Sequence, residues 1–177
     1  MANSEQLEYL QDSADDWKVY RREHAITRPD LRGADLSAAE LPGADLSGAD
    51  LAGADLTNAN LANADLSGAN LSGAYLLNVV LSGSNLAGAD LTGANLTEVN
   101  AANANLTDAT LTGAILGGAN LANADLTNAI LRQADLSEAN LTSATLLQAD
   151  LTEANLAGVE LSKADLSWVA GLDSGGT

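Results

Sequence analysis

Residues 44–68 read ADLSGADLAGADLTNANLANADLSG, and the same five-residue pattern continues far beyond this stretch on both sides. Leucine returns at every fifth position from Leu31 to Leu166, which makes 28 positions, and Ala101 is the one residue among them that is not leucine. A small residue, most often alanine, stands two places before each leucine, and Asp or Asn usually lies between the two. A fixed period of this kind dictates the architecture of a chain.

The five-residue period fits neither an α-helix nor a continuous strand. Within one repeat, however, the Ala-Asp-Leu segment points in, out and in, which is strand alternation for three residues. The last residue of the repeat is Gly at 12 of the 28 repeats and Asn at six more, and both residues tolerate a positive φ. Each repeat is therefore predicted to be a short extended piece followed by a corner. A chain that turns the same way every five residues winds into a coil, with its turns stacked by parallel hydrogen bonds.

The pattern resembles the pentapeptide-repeat family, whose motif is Ala-(Asp/Asn)-Leu-X-X, and it is similar to bacterial and cyanobacterial members. The resemblance covers residues 29–170 in unbroken register. It implies an all-β solenoid, specifically a right-handed quadrilateral β-helix with four repeats to a coil and about seven coils. At roughly 4.8 Å per coil, such a rod is about 33 Å long.

Three segments are predicted: an N-terminal helical cap at 1–28, the β-helix at 29–170, and a flexible C-terminal tail at 171–177. The cap contains apolar residues at helical spacing, and we expect them to cover the first coil, because an open β-edge promotes aggregation. These cap residues are Leu7, Leu10, Trp17 and Tyr20. Asn3 with Gln6 is a candidate capping box, and Ser13 is a candidate cap for a second helix.

The sequence gives little support to an enzyme. It has no cysteine and a single histidine, His24, and its carboxylates occupy regular outward positions without an apolar pocket to shift their pKa values. We therefore predict no catalytic, cofactor-binding or metal-binding residues. The first twenty residues lack the apolar stretch of a signal peptide, and no run of 18 apolar residues occurs. A cytoplasmic protein without membrane contact is the expectation.

Most of the negative charge belongs to the predicted rod. Residues 33–166 contain sixteen acids against two basic residues, Arg132 and Lys163, which leaves a net charge of −14 within a total of −17. Direct binding to nucleic acid is disfavoured by this charge. By resemblance to the quinolone-resistance members of the family, the alternative function is an acidic mimic of DNA that binds DNA gyrase. Candidate acids on one face are Asp45, Asp65, Asp125 and Asp165.

The preferred prediction is a non-enzymatic protein-interaction scaffold whose partner is an unidentified protein. Apolar residues replace the usual polar ones at several outward positions, and such exposed apolar residues on a rigid rod indicate a contact patch. The patch consists of Tyr75, Leu77 and Ile115 on one face with Val80 and Ile130 on the two neighbouring faces. The chain also departs from the quinolone-resistance members: it has no phenylalanine and no inserted loop, and its tail is too short and too glycine-rich to predict the C-terminal helix through which those members dimerise.

The C-terminal end leaves two alternatives open. Gly171 stands where the next leucine is due, so the repeats end there. Trp168, followed by Val169, is predicted either to fold over the last coil as a lid or to form a contact between two chains. The protein is accordingly expected to be a monomer or a homodimer joined end to end.

Overall fold

The computed structural model describes residues 2–172, and both Met1 and the tail residues 173–177 lie outside the described part. Two short helices come first: α1 spans Ser4–Asp12 and α2 spans Ala14–Glu23. From Asp30 onward, each repeat contributes one bridge residue, which pairs in parallel with the residue 20 positions later, from Asp30 with Asp50 to Asp150 with Ala170. Four repeats therefore complete one coil, and the 28 repeats make seven coils.

Three backbone hydrogen bonds join each repeat to the neighbouring coils. In the first repeat, the Leu31 N–H donates to the Asp50 carbonyl at 2.8 Å, and the Gly33 N–H donates to the Ala52 carbonyl at 3.0 Å. The Asp50 N–H returns a bond of 2.8 Å to the Pro29 carbonyl. The same set recurs coil after coil. The backbone polar groups are thus paired along the rod axis, which leaves mainly side chains on the four sides of the rod.

The corners confirm the prediction of a positive φ and extend it. The last residue of all 28 repeats has a positive φ, including sixteen residues that are not glycine, with Lys163 and Trp168 both at 61°. A left-handed conformation costs a non-glycine residue roughly 1–2 kcal/mol. The hydrogen bonds between coils outweigh that cost. A repeat that did not turn at its corner would shift all later repeats out of register and break these bonds.

The core consists of the leucine and the small residue of each repeat. The leucines at every fifth position from Leu31 to Leu151 are at most 2% exposed. Ala101 and the larger Val99 before it are both buried, and the bridges of Asn100 continue on either side without a shift in register. Ser84 replaces alanine, and its buried hydroxyl donates to the Leu81 carbonyl at 2.6 Å. The substitutions at Ser84, Val99 and Ala101 therefore leave the register of the neighbouring repeats unchanged.

The two helices cover the first coil, as the sequence predicts. Leu10 and Trp17 are fully buried, Tyr20 is 5% exposed, and Leu7 packs against the core half-buried. The side chains of Asn3 and Ser13 cap α1 and α2. The capping box is wrong in one respect: the Gln6 side-chain oxygen accepts the N–H of Asp30 at 2.8 Å instead of turning back to Asn3. This bond ties α1 to the first coil.

The last coil differs from the first. Its leucines, Leu156, Leu161 and Leu166, are half-buried, and so is Val169. The lid predicted for Trp168 is wrong, because this side chain is 84% exposed. The physical reason is the corner position of Trp168, because side chains at this position of the repeat point away from the core and none of them is buried. A contact between two chains through Trp168 and Val169 stays a prediction.

Candidate protein-interaction face

The 20-residue register assigns every outward residue to one of four faces. Tyr75 shares its face with the residues in 35–38, 55–58, 95–98, 115–118, 135–138 and 155–158, and we call this the Tyr75 face. Across the rod lies the opposite face, made by 45–48 and the corresponding residues of each later coil up to 165–168. Each face thus presents one bridge residue and two corner residues per coil, repeated at about 4.8 Å along the axis.

The usual Asp or Asn at the bridge position has a structural task. Each of the 20 Asp and Asn residues at this position accepts a hydrogen bond from the backbone N–H two residues later, as Asp55 does from Thr57 at 2.9 Å. This is the Asx turn, by which a short polar side chain stabilises a bend in the backbone. The Asp-or-Asn preference is therefore explained by the corner alone.

Asparagine adds a second bond, between coils. The side-chain amide of Asn85 donates to Asp65 at 3.2 Å, and that of Asn105 donates to Asn85 at 3.0 Å, which builds a ladder along the opposite face. Aspartate can accept in this ladder but cannot donate. Asn and Asp are accordingly equivalent for the corner and differ in the contact with the preceding coil.

Tyr75 and Ile115 interrupt this pattern on the Tyr75 face. They occupy bridge positions two coils apart, yet they have no side-chain oxygen that could accept the corner N–H and no amide that could donate to the preceding coil. Burial does not compensate, since Tyr75 is 56% and Ile115 is 44% exposed. Ile130, 39% exposed, and the half-buried Val80 repeat the exchange on the two neighbouring faces. These residues therefore lack the corner bond, and none of them belongs to the buried core.

The middle of the Tyr75 face is otherwise small and almost uncharged. Leu77 follows Tyr75 and is half-buried, Asn95 and Thr97 lie on the next coil, and Gly117 with Gly118 follows Ile115. Glu98 is the one acid of these three coils on this face, and its carboxylate lies against Gly118, so close that an added Cβ there would be 2.6 Å from an oxygen of Glu98. The surface between the exposed side chains of Tyr75 and Ile115 is therefore made mainly of small or half-buried residues.

Acids border this apolar middle at both ends. Asp35 and Asp55 precede Tyr75 in the same column of bridge residues, and Asp135 follows Ile115. The Ser37 hydroxyl and N–H lower the pKa of Asp35, and the Ser137 N–H and hydroxyl lower that of Asp135. Both carboxylates are therefore ionised at neutral pH. The Tyr75 face is apolar in its centre and negative at its ends.

On the opposite face, Asp45 belongs to the cap. Its carboxylate accepts from the Arg21 guanidinium at 2.7 Å, and Arg21 is 8% exposed with further bonds to the carbonyls of Ile26 and Ser47. The backbone carbonyl of Asp45 also accepts the indole N–H of Trp17 at 2.7 Å. Sequence reasoning assigned no partner to Arg21, although its position one helical turn after Trp17 places both residues on the same side of α2. The charge of Asp45 is thus paired with Arg21, whereas Asp65, Asp125 and Asp165 lie on the opposite face without a basic partner in residues 2–172.

The described residues offer little else that is chemically reactive. No group of three or more His, Asp or Glu residues within 2–172 is arranged to hold a metal ion. The ring of His24 lies 3.0 Å from the Tyr20 carbonyl at the end of α2. A groove beside α2, lined by Lys18, Val19, Arg22 and Ile26, is open to solvent. Neither described helix is long and apolar enough to cross a membrane.

Comparison with known proteins agrees with the geometry of the coils. The family model for pentapeptide repeats, eight copies, matches residues 30–68, 64–100, 104–142 and 134–169. The chain therefore belongs to the pentapeptide-repeat family. None of the curated protein sequences matches it.

Solved structures of the family are similar to this chain over most of its length. HetL from the cyanobacterium Nostoc sp. strain PCC 7120, involved in heterocyst differentiation regulation, is 34% identical, with 82% of each chain covered and a TM-score of 0.49. A trypsin-treated form of QnrB1, a plasmid-mediated fluoroquinolone resistance protein, is 25% identical over 76% of this chain and 75% of its own, with a TM-score of 0.63. Rfr23 from the cyanobacterium Cyanothece 51142 is 25% identical, covers 86% of this chain and 95% of its own, and has a TM-score of 0.33.

Proposed function

We propose that this four-sided, right-handed rod is a non-enzymatic protein-interaction scaffold and that a partner protein binds to its Tyr75 face. The observation that carries the proposal is the exchange at Tyr75 and Ile115. Both residues give up the hydrogen bonds that Asp and Asn make at equivalent positions, and both remain about half exposed. Residues that break a local rule of the fold without a compensating gain are expected at functional sites.

The experiment uses substitutions that restore a polar bridge residue and its hydrogen bonds at positions 75 and 115. In the double variant Tyr75→Asn/Ile115→Asn, Asn at 75 is expected to accept the Leu77 N–H and to donate to Asp55, as Asn85 donates to Asp65. The matched control is Asp65→Asn/Asp125→Asn, which changes two bridge residues on the opposite face and keeps their corner bonds. All three proteins are immobilised and used to capture partners from an extract of cells that express the protein naturally.

The proposal predicts that a partner is retained by the wild type and by the control and is lost from the Tyr75→Asn/Ile115→Asn variant. That variant is expected to be at least as stable as the wild type, so that misfolding does not explain the loss. Capture of the same proteins by all three baits would overturn the proposal.

A second candidate function is the DNA mimic that binds gyrase. It is supported by the likeness to QnrB1, a fluoroquinolone resistance protein, and by the net charge of −14 over residues 33–166. Duplex DNA has about one charge per 1.7 Å, so ~33 Å of it has roughly 19 charges. The loss of Asp45 to the cap and the amides of Asn85 and Asn105 in the middle of the opposite face reduce the match.

Gyrase supercoiling, measured with and without a quinolone, separates the two functions. A DNA mimic inhibits supercoiling or protects against the drug, the Asp65→Asn/Asp125→Asn variant is weaker, and Tyr75→Asn/Ile115→Asn is unchanged. No effect of the wild-type protein at micromolar concentration would exclude the second candidate.

A further inference from the structure

We propose that the Tyr75 face binds a basic amphipathic helix lying along the rod, with two apolar residues seven positions apart and a basic residue beyond each of them. The inference rests on the proposed scaffold function and adds the kind of partner to it. It follows from the order of residues along one column, which reads Asp55, Tyr75, Asn95, Ile115, Asp135 at intervals of one coil.

The spacing of the apolar residues favours a helix over a strand. Tyr75 and Ile115 are two coils apart, which is about 9.6 Å at a strand spacing of ~4.8 Å. Seven residues of helix rise about 10.5 Å and return to nearly the same side of the helix. Side chains on one side of an extended strand repeat at about 6.7 Å, which fits neither one coil nor two. A lateral strand would also lack backbone partners, because the coils use their N–H and C=O groups on one another.

The surface between the two apolar residues is low enough for a helix to approach. Asn95 and Thr97 are half-buried on the intervening coil, and the Thr97 hydroxyl is held by Asn95 at 2.7 Å. Gly117 and Gly118 have no side chains of their own, and the exposed side chain of Glu98 extends from the intervening coil to Gly118. Two protruding apolar groups with a shallow interval between them match a helix that contributes one apolar side chain to each end of the interval.

The charges at the two ends require a basic partner. Asp55 and Asp135 lie one coil outside the apolar pair, about 19 Å apart along the axis, which is the length of about 13 helical residues. The corner bonds of both carboxylates use Oδ1, and the amide bond from Asn155 to Asp135 uses Oδ1 as well. The net charge of the rod steers a basic helix towards it from a distance.

The test uses a fluorescein-labelled, alanine-based 16-residue peptide with leucines seven residues apart and a lysine three residues outside each leucine. One control peptide replaces the lysines by glutamate, and another has the same composition with the leucines on opposite sides of the helix. Fluorescence anisotropy with the full chain measures the dissociation constants at low and high salt.

The basic amphipathic peptide is expected to bind at least about tenfold more tightly than either control peptide. Tyr75→Asn/Ile115→Asn is expected to weaken binding about tenfold or more. Asp55→Asn/Asp135→Asn is expected to weaken it several-fold more than Asp65→Asn/Asp125→Asn, which removes the same charge from the opposite face, and high salt is expected to abolish this difference.

Equal binding of the three peptides, or equal weakening by the two pairs of aspartate substitutions, would overturn the inference, since either result indicates attraction to the charge of the rod as a whole. These results are distinguishable from a failure of the scaffold function. If cellular partners are lost from Tyr75→Asn/Ile115→Asn while the peptide does not bind, the scaffold function stands and the helical partner is wrong.

Discussion

The Tyr75 face and the opposite face share one backbone and differ in what they present outward. At the middle coils, the opposite face has Asn85 and Asn105, which are joined by an amide hydrogen bond. The Tyr75 face has Tyr75 on the coil of Asn85 and Ile115 two coils later, and neither side chain can take part in such a ladder. Inward residues therefore determine the fold, and outward bridge residues are free to differ between faces. That freedom is what makes an exposed apolar pair informative about function.

The largest expected effect separates inward from outward residues on the Tyr75 face itself. Leu76 is fully buried, and its neighbour Leu77 is half-buried on the surface. Leu76→Ala is expected to lower the free energy of unfolding by about 3 kcal/mol, because it leaves a cavity in the core. Leu77→Ala is expected to cost less than about 1 kcal/mol. Urea unfolding followed by circular dichroism measures both, and equal losses would contradict the assignment of Leu77 to the surface.

The substitution of Asp by Asn is expected to change the free energy of unfolding in opposite directions on the two faces. Asp45→Asn removes the counterion of the buried Arg21 and should cost about 1–2 kcal/mol, a value reduced because the Asp45 side chain is 39% exposed. Asp55→Asn keeps the corner bond and gains an amide that can donate to Asp35, so a gain of up to about 1 kcal/mol is expected. Thermal unfolding of the two variants tests this prediction, and a loss of stability in both would show that the ladder does not stabilise the Tyr75 face.

A smaller increase in stability is expected when polar bridge residues are restored on the Tyr75 face. Tyr75→Asn and Ile115→Asn should each raise the free energy of unfolding by about 0.5–1 kcal/mol, because each restores a corner bond and an amide bond. The reverse exchange on the opposite face, Asn85→Tyr, should lower it by a similar amount. Denaturant midpoints measured for the three variants under one condition test the prediction. Destabilisation by Tyr75→Asn would indicate that Tyr75 belongs to the core.

The dependence on pH is expected to be the same on both faces, because it comes from the corner. The Ser37 and Ser167 hydroxyls, followed by the N–H groups of the same residues, lower the pKa of Asp35 on the Tyr75 face and of Asp165 on the opposite face. A carboxyl whose pKa is lowered by folding stabilises the protein above its unfolded value of about 4 and loses that contribution as the pH falls further.

The stability lost on acidification should therefore be smaller in Asp35→Asn and in Asp165→Asn than in the wild type, and by similar amounts. Asp150, whose pKa is lowered to about 2 by the Thr152 hydroxyl and N–H and by Arg132, should lose its contribution between about pH 4 and pH 2. Unfolding curves collected from pH 6 to pH 2 measure these differences. An effect confined to one face would show that the corner bonds are not the cause.

Much of the fold was predictable from the sequence because every repeat has nearly the same surroundings. A period of five residues and four repeats per coil place Tyr75 and Ile115 on one face before any coordinates are considered, and the structure agrees. The cap was predictable as an apolar stripe. The ion pair that joins the cap to the first coil was not predictable, because Arg21 and Asp45 are 24 residues apart and belong to different kinds of structure.

The remaining differences also have physical reasons. Trp168 was open to two interpretations because it lies beside the open end of the last coil, and its exposure required the structure. The same holds for the sixteen non-glycine corners, where the stack outweighs local preference. The repeats do not name a particular partner, because outward positions are constrained by the corner bond and the amide bonds between coils and otherwise differ freely.

The binding of a partner protein to the Tyr75 face is tested most directly with a photo-crosslinking amino acid. It is placed at residue 75 in one form of the protein and at residue 85 in another, and both forms are expressed in the native cells. The two positions are equivalent bridge positions on the Tyr75 face and the opposite face. If a partner binds to the Tyr75 face, a specific protein adduct is expected from position 75 and none from position 85. Adducts from position 85 alone, or the same adducts from both positions, would contradict this proposal.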